Sequence, residues 1–349
     1  MRIAQVAPLF ESVPPKLYGG TERVVSYLTE ELVKQGHDVT LFATADSITA
    51  ARLRAIVRQG LRLDPDCQDP SPYHVIMLEE VLRASPSFDI IHFHTDYLHF
   101  GLTRRLLTPH ITTLHGRLDL PYLVPLYKEF DDVPLVSISN SQRVPLSWAN
   151  WQATVYHGLP LNQYQFHDRP GKYLAFIGRI SPEKRVDHAI EVARRVGMEI
   201  RIAAKVDKAD REYFETRIKP LLRQPYVNYI GEIGDSEKGE FLGNAFAMLF
   251  TVDWPEPFGL AMIEAFACGT PVIACRRGSV PEVMEDGRTG YIVNSLDEAV
   301  AAVEKVAGLD RRQVRHVFEK RFSATRMARD YLTVYRKVDR QRLISQATA

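Results

Sequence analysis

The sequence has 349 residues, which is long for a single hydrophobic core and typical of two domains. Hydrophobic residues make up 45% and charged residues 25%, and a net charge of +1 excludes a general attraction to nucleic acid. The three cysteines form no metal-ligand spacing and no disulfide framework, so we expect a reducing compartment. No apolar run approaches the ~18 residues of a spanning helix, and the N-terminus lacks a signal-peptide pattern, so the sequence predicts a soluble cytoplasmic protein.

The first half of the chain has the strand-loop-helix-strand order of a nucleotide-binding unit. An apolar strand at 3–7 precedes a proline-containing loop that ends in Gly19 and Gly20, and a helix then runs to Gly36. A second strand follows at 38–43. The two glycines lie where the helix begins, so their backbone could approach a phosphate closely, although a tight turn alone also explains them.

The segment 51–63 is short, basic and amphipathic, and it has two interpretations. One is contact with an anionic membrane surface, which would add a weak peripheral association at the inner face of the membrane. The other is a plain surface helix, which the short length and Gly60 favour. Asp64-Pro65-Asp66, just downstream, imitates a metal-binding Asp-x-Asp but follows no buried strand, so it is interpreted as a turn.

Histidines are concentrated around two predicted strands. His92, His94, His99 and His115 invite a zinc hypothesis, but no cysteine, His-x-x-x-His or suitably spaced glutamate accompanies them. The sequence therefore predicts no metal site. His115 directly follows the strand 111–114, and α/β folds bind ligands at the carboxyl ends of their strands. We therefore predict that His115 faces a ligand.

A second α/β region begins after a polar linker that places the domain boundary near residue 165. The strand 172–178 leads to Arg179, Ser181 suits the N-cap of the next helix, and Lys184 lies near that helix start. Two cations beside free helix N–H groups suit a diphosphate, because arginine can hold two oxygens and lysine adds a point charge.

The stretch 253–274 is the most informative part of the sequence. Two prolines bracket Glu256, so this residue cannot lie inside a regular helix. Glu264 is expected about one turn into a helix over 260–267, which a glycine and a proline terminate. The two acids could be solvated, or a general acid and base pair. Beside the two cations they are better interpreted as groups that bind sugar hydroxyls around a diphosphate.

In several motifs the chain resembles retaining glycosyltransferases of family 4. In order, these motifs are YGGTE, TTLHG, FIGRISPEK, GEIGD, EPFGLAMIEAFACGTPVIA, GSVPEV and DGRTGYIV. The motif GSVPEV departs from the pattern Gly-Gly-x-Pro-Glu that is common in the family, because Ser279 takes the place of the second glycine. The resemblance implies an α/β GT-B fold, in which two Rossmann-like domains face each other across a cleft. It implies an acceptor-side domain at 1–165, a nucleotide-sugar domain at 166–321, and a C-terminal helix and tail at 322–349 that crosses back to the first domain.

The resemblance also implies roles for individual residues. Arg179 and Lys184 would hold the diphosphate, Glu256 would hold hydroxyls of the transferred sugar, and His115 would approach its reacting face. These four residues form the predicted catalytic set. The predicted donor-binding set consists of Gly19, Gly20, Arg179, Lys184, Lys205, Val206, Glu232, Ile233, Phe258, Gly259, Leu260 and Glu264. Within it, the two glycines would close over the diphosphate, Glu264 would hold the ribose, and the strand-end residues would frame the base.

The resemblance therefore implies a retaining hexosyltransferase that uses a nucleotide sugar, with a UDP-sugar favoured over GDP-mannose. Its acceptor would be a hydroxyl compound that the sequence does not identify, and no cofactor or metal would be needed because the two cations can stabilise the departing diphosphate. Two alternatives stay open. One is a GT-B nucleotide-sugar epimerase or glycosyl phosphorylase, and the other is a non-catalytic nucleotide-sugar-binding protein. The oligomeric state also stays open.

Overall fold

A computed structural model describes residues 1–17 and 19–348, with side chains up to residue 340. The chain divides into two compact units: unit 1 is Met1–Gly158 with Ala324–Ala349, and unit 2 is Leu159–Ser323. The predicted domain boundaries, after residues 165 and 321, lie near these divisions. Tyr18, the first residue of the YGGTE motif, lies outside the described residues.

Unit 1 is built on a parallel β-sheet. Its strands are β1 (Arg2–Val6), β2 (Asp38–Ala43), β3 (Arg52–Ala55), β4 (Ile90–Phe93), β5 (His110–Thr113), β6 (Leu135–Ser137) and β7 (Trp151–Thr154). The seven strands lie in the order β3-β2-β1-β4-β5-β6-β7, and neighbouring strands are parallel. The central strands are buried along almost their whole length, as expected for a parallel sheet covered by helices on both faces.

The helices that follow these strands in unit 1 are α1 (Gly20–Lys34), α2 (Ser71–Ala84), α3 (Phe100–Thr103), α4 (Leu123–Glu129) and α5 (Asn140–Arg143). The first confirms the predicted helix and its end. The chain leaves α1 through Gly36, whose φ of 84° suits glycine. Over the described residues, no helix combines the length and apolar character needed to cross a bilayer.

Unit 2 repeats this construction. Its strands are β8 (Tyr173–Arg179), β9 (Glu199–Lys205), β10 (Val227–Gly231), β11 (Ala245–Phe250), β12 (Val272–Cys275) and β13 (Gly290–Val293). They form a parallel sheet in the order β10-β9-β8-β11-β12-β13. Its helices are α6 (Val186–Val196), α7 (Arg211–Tyr213), α8 (Asp235–Gly243), α9 (Leu260–Ala267), α10 (Val280–Val283), α11 (Leu296–Val306) and α12 (Arg311–Arg321). The last helix, α13 (Ala324–Thr348), belongs to unit 1, where it packs against α1.

The predicted helix over 51–63 is wrong. Residues Arg52–Ala55 form β3, which pairs in parallel with β2 at the edge of the sheet. The side chains alternate as a strand requires: Leu53 is half-buried against the core, while Arg52 and Arg54 are exposed. Exposed arginines also suit an edge strand, because charge discourages pairing with another chain.

The predicted helix start at Ser181 is also wrong. Pro182–Lys184 form a single 3₁₀ turn, Arg185 adopts a left-handed conformation with φ 51°, and α6 begins only at Val186. The hydroxyl of Thr251 donates to the carbonyl oxygens of Lys184, at 3.2 Å, and Arg185, at 2.8 Å. These bonds connect the turn to the residues that follow β11, so tertiary contacts hold it out of the helix.

Both sheets reverse their strand order at a central pair, β1 and β4 in unit 1 and β8 and β11 in unit 2. In open α/β sheets, ligands bind outside the carboxyl ends of the strands at such a reversal. The residues that follow these strands are therefore the candidates for a functional site in each unit.

Candidate active site

The segments that follow β8 and β11 bring Lys184 and Glu256 into contact. Lys184 Nζ donates a hydrogen bond to Glu256 Oε2 at 2.5 Å, and the indole Nε1 of Trp254 donates to the same oxygen at 2.8 Å. The ammonium group also lies 5.0 Å from the ring centroid of Trp254, which is within cation–π range. Glu256 is only 8% exposed. The described residues make no hydrogen bond to its Oε1, so this oxygen can accept one from a hydroxyl.

The loop that carries Glu256 is supported by the GSVPEV motif, in which Ser279 departs from the family pattern. Ser279 N donates to the carbonyl oxygen of Glu256 at 2.9 Å, and Ser279 Oγ donates to that of Phe258, also at 2.9 Å. Gly278 has a φ of 54°, and a Cβ there would lie 2.3 Å from the backbone of Glu256. The serine therefore supplies an extra hydrogen bond to the loop, and the glycine is required by close backbone approach.

Glu264 lies on α9 and is paired separately from Glu256. It is 3% exposed and accepts a hydrogen bond from Lys238 Nζ of α8 at 2.9 Å. The hydroxyl of Tyr164 lies 3.4 Å from the same carboxylate oxygen. Each predicted hydroxyl-binding glutamate therefore has its own lysine. The sequence did not indicate Lys238, because its pairing with Glu264, 26 residues further along the chain, depends on how α8 packs against α9.

Arg179, the last residue of β8, is surrounded by carboxylates. It hydrogen bonds with Glu183, and its guanidinium lies 3.5 Å from Asp207 and 3.4 Å from Asp210. Lys205 contacts Asp207 at 2.9 Å, so one acid connects two of the predicted donor-binding cations. A diphosphate would compete with three carboxylates for Arg179 but with one for Lys184.

The acids around Arg179 differ in how readily they ionise. Burial tends to raise the pKa of Asp207, but hydrogen bonding and charge from Lys205 and Arg179 lower it overall. The pKa of Asp210 is raised, mainly by burial, and the positive charge of Arg179 offsets this only in part. Burial and positive charge therefore shift the pKa values of these two acids in opposite directions.

The other predicted donor-binding residues of unit 2 lie at the same edge of its sheet. Lys205 ends β9 and Val206 follows it, and Glu232 and Ile233 follow β10. Phe258 and Gly259 connect Glu256 to α9, which begins at Leu260. The chain enters α9 through Gly259, whose φ is 81° and where a Cβ would lie 2.6 Å from Met262 Cε. The sequence thus correctly predicted where α9 begins and ends.

In unit 1, Gly19 and Gly20 lie at the start of α1, close to a buried acid. A Cβ at Gly19 would lie 2.7 Å from the side chain of Pro15 and 3.2 Å from Glu22 Oε2. Glu22 is 5% exposed, and burial raises the pKa of its carboxyl from 4.5 to about 7, against the opposing charge of Arg62. This acid belongs to the YGGTE motif, but its burial could not be read from the motif.

His115 lies just beyond β5 and is held by other histidines. Its Nε2 lies 2.9 Å from Nδ1 of His94, and its ring stacks on that of His157 with centroids 5.4 Å apart. Burial lowers the pKa of His115 to about 3, so it is neutral at physiological pH. The histidines that suggested zinc instead hydrogen bond with one another and with threonine, tyrosine and glutamine side chains.

Two family models match the chain. The model of Glycosyltransferase Family 4 matches residues 18–201, more than half of the chain, and that of Glycosyl transferases group 1 matches residues 163–321. The chain belongs to glycosyltransferase family 4. Glycosyl transfer is therefore its class of reaction. It is 28% identical over 186 residues to alpha-maltose-1-phosphate synthase of Mycolicibacterium smegmatis, and the match spans 47% of this chain and 48%, about half, of that protein.

Solved structures show the GT-B fold of this family 4 member. AviGT4, a glycosyltransferase involved in avilamycin A biosynthesis, superimposes with a TM-score of 0.75 at 24% identity and covers 98% of both chains. Anabaena HepE in complex with UDP and glucose superimposes with a TM-score of 0.74 at 16% identity, over 97% of this chain and all (100%) of that one. The predicted fold class is thereby confirmed.

Proposed function

We propose that this family 4 glycosyltransferase transfers a hexosyl group from a nucleotide sugar to a hydroxyl acceptor, with retention of anomeric configuration and without a metal ion. The observation that carries the proposal is the contact between Lys184 and Glu256 where the strand order of unit 2 reverses. This pair combines a cation suited to phosphate with a buried carboxylate suited to sugar hydroxyls.

The pair also suggests how the donor is accommodated. Phosphate oxygens that bind Lys184 Nζ would replace Glu256 Oε2 as its partner. Trp254 Nε1 would keep the Glu256 carboxylate oriented, while the carboxylate oxygens accept hydrogen bonds from hydroxyl groups of the sugar. The positive charge then faces the leaving diphosphate, where charge develops in the transition state. Glu264 and Lys238 would provide a second polar position, for the ribose.

A UDP-sugar is the favoured donor. HepE, a different protein with the same fold, has been solved in complex with UDP and glucose. For this chain it makes UDP-glucose the first donor to test, with GDP-mannose second. His115 of unit 1 is proposed to contact the transferred sugar.

A thermal-shift panel of UDP-, GDP-, ADP- and dTDP-sugars tests donor binding. A ligand at about 100 times its dissociation constant stabilises the folded protein by about 2.7 kcal/mol, which a melting curve resolves. We expect UDP-glucose to give the largest shift. If no nucleotide sugar raises the melting temperature, the proposed donor site is wrong.

Replacing Lys184 with alanine tests the role of the cation. We expect the turnover of the bound donor to fall by about 10²–10³-fold, as when one transition-state donor is removed. Lys219→Ala is the matched control, because Lys219 makes a Lys–Glu pair of the same 2.5 Å length with Glu215 on the exposed surface. Unchanged turnover in Lys184→Ala would show that Lys184 does not bind the diphosphate.

The remaining details have separate tests. Turnover that is lost in EDTA and restored by Mg²⁺ would contradict the metal-free reaction. NMR of the purified product gives its anomeric configuration, and inversion would contradict retention. Conversion of the nucleotide sugar to an epimer when it is incubated alone would instead favour the epimerase alternative.

A further inference from the structure

A buried chain of neutral hydrogen-bonding groups in unit 1 ends on His115. We call it the polar chain, and its members are Tyr331, Thr113, His92, Tyr335, Gln5 and His94. All six are at most 2% exposed. They come from β1, β4, β5 and α13 and the residues adjoining them, so the last helix of the protein is connected to the predicted catalytic histidine.

Each step of the polar chain has hydrogen-bond length. The hydroxyl of Tyr335 lies 2.9 Å from His92 Nδ1 and 3.0 Å from Gln5 Nε2. His94 Nε2 lies 2.9 Å from Gln5 Oε1, and His94 Nδ1 lies 2.9 Å from His115 Nε2. At the other end, Thr113 Oγ1 lies 2.7 Å from His92 Nε2 and 2.9 Å from the hydroxyl of Tyr331.

The amide of Gln5 sets the direction of the hydrogen bonds that join it to His94 and His94 to His115. Its oxygen can only accept, so His94 Nε2 must carry a hydrogen and donate it. Burial, with smaller effects from neighbouring histidines, holds the pKa of His94 well below its usual value, so His94 is neutral and its Nδ1 has a lone pair. That nitrogen can only accept, and His115 Nε2 must therefore be the donor.

This order determines what His115 offers to a ligand. A neutral imidazole carries one hydrogen, and in His115 it lies on Nε2, so Nδ1 has the lone pair. Within the part of the chain that the structure describes, no protein group hydrogen bonds with His115 Nδ1. His115 therefore presents an acceptor.

We propose that His94 and Gln5 are positioning residues, which fix the tautomer of His115 so that its Nδ1 accepts a hydrogen bond from a hydroxyl of the transferred sugar. This inference rests on the proposed function. The opposite order defines its alternative: with the Gln5 amide reversed, the hydrogen bonds of His94 with Gln5 and with His115 would reverse, and His115 Nδ1 would become a donor.

The tautomer can be measured without any activity assay. The full-length protein is labelled with ¹⁵N-histidine, and long-range ¹H–¹⁵N correlation spectra show which ring nitrogen carries the hydrogen. The variants His94→Asn and His115→Gln assign the signals. We expect a protonated Nε2 in both His94 and His115. A protonated Nδ1 in His115 would overturn the proposal, because this is the reversed order.

Turnover tests the positioning role at His94. His94→Leu removes the acceptor, whereas the amide oxygen of His94→Asn can still accept from His115. We expect His94→Leu to lower kcat by about tenfold, because a loss of this size corresponds to one hydrogen bond, and to change KM little. His94→Asn should recover most of the loss. His99→Leu is the matched control, since His99 is equally buried but bonds to Thr95 and Thr112 instead.

Monodeoxy analogues of the donor identify the hydroxyl. With the analogue that lacks the hydroxyl facing Nδ1, wild type and His94→Leu should turn over at the same rate, since the interaction is absent from both. If every analogue preserves the tenfold difference, or if His99→Leu loses as much as His94→Leu, the positioning role is wrong. If His94→Leu does not fold, Gln5→Met takes its place in the same comparison, because this variant removes the oxygen that accepts from His94 Nε2.

The outcomes separate this inference from the proposed function. If no nucleotide sugar binds wild type, the proposed function fails, whatever the tautomer of His115. If a donor binds and turns over in wild type but the tautomer is reversed or His94→Leu is fully active, only the positioning role fails.

Discussion

The candidate sites of the two units are built from opposite chemistry, although both lie at the carboxyl edge of a parallel sheet. In unit 1, His94 and His115 are neutral and are held by hydrogen bonds to uncharged groups. In unit 2, Glu256 and Glu264 are each paired with a lysine, and Arg179 is shared among acids. One site therefore fixes where hydrogens lie, and the other supplies charge.

This difference has consequences for how each site responds to substitution. When one member of a buried ion pair is removed, an uncompensated charge stays buried, which is strongly unfavourable. When one member of a neutral chain is removed, its neighbours lose one hydrogen bond each. Substitutions in unit 2 should therefore have large effects that a second substitution reverses, whereas those in the polar chain should have small effects.

The largest effect is expected for Lys238→Met. It leaves the Glu264 carboxylate buried without its lysine, and we expect the opening free energy of unit 2 to fall by about 3–5 kcal/mol. Native-state hydrogen exchange of the α9 and β11 amides measures this for unit 2 alone. The double variant Lys238→Met, Glu264→Gln should recover most of the loss. A loss below about 1 kcal/mol, typical of a screened surface pair, would remove the contrast between the units.

Glu22→Gln sharpens the comparison, because Glu22 is a buried acid of unit 1 whose raised pKa keeps it neutral below about pH 7. Its pKa is raised from 4.5 to about 7, so the folded protein binds a proton there that the unfolded chain has already released. Stability should therefore fall as pH rises between these values, by up to about 3 kcal/mol. Glu22→Gln should remove this loss, so that it matches wild type near the lower pH and is more stable at about pH 8.

Hydrogen exchange of the α1 amides across this pH range measures the effect. Glu79→Gln controls for the loss of one negative charge, because Glu79 is a 61% exposed glutamate of α2. If wild type and Glu22→Gln show the same pH dependence, the carboxyl of Glu22 ionises in the folded protein as it does in the unfolded chain, and its burial does not keep it neutral.

The sequence predicted those elements whose signals are local. β2 and α9 have the predicted bounds, because an apolar run and flanking glycine or proline residues define each of them. The helix prediction for 51–63 failed because β3 is a short edge strand stabilised by pairing with β2. An arginine-rich alternation over only four residues also fits a helix.

The candidate site was predicted in part, for the same physical reason. Strand ends can be located from sequence, so His115, Arg179, Lys184 and Glu256 were each placed beside a strand or in a turn. Their partners could not be found. The bond between Gln5 and His94 joins β1 to the end of β4, and the pair of Lys238 with Glu264 joins α8 to α9. Such contacts depend on strand order and helix packing, which no local pattern encodes.

Tyr335→Phe is the smallest of the expected effects and tests the neutral half of the comparison directly. The Tyr335 hydroxyl contacts both His92 Nδ1 and Gln5 Nε2, so its removal leaves two buried groups without this partner and should destabilise unit 1 by about 1–3 kcal/mol. Tyr331→Phe, at the end of the polar chain, affects only Thr113 within it and should cost less.

Neither tyrosine variant should change how stability depends on pH between about pH 7 and about pH 9. Burial lowers the pKa of His92 well below its usual value and raises that of Tyr335 well above its usual value, so neither group titrates within this range. Hydrogen exchange of the β1 and β4 amides at several pH values measures both the size and the pH dependence. A loss above about 3 kcal/mol that varies with pH would mean that the polar chain carries a charge, as the ion pairs of unit 2 do.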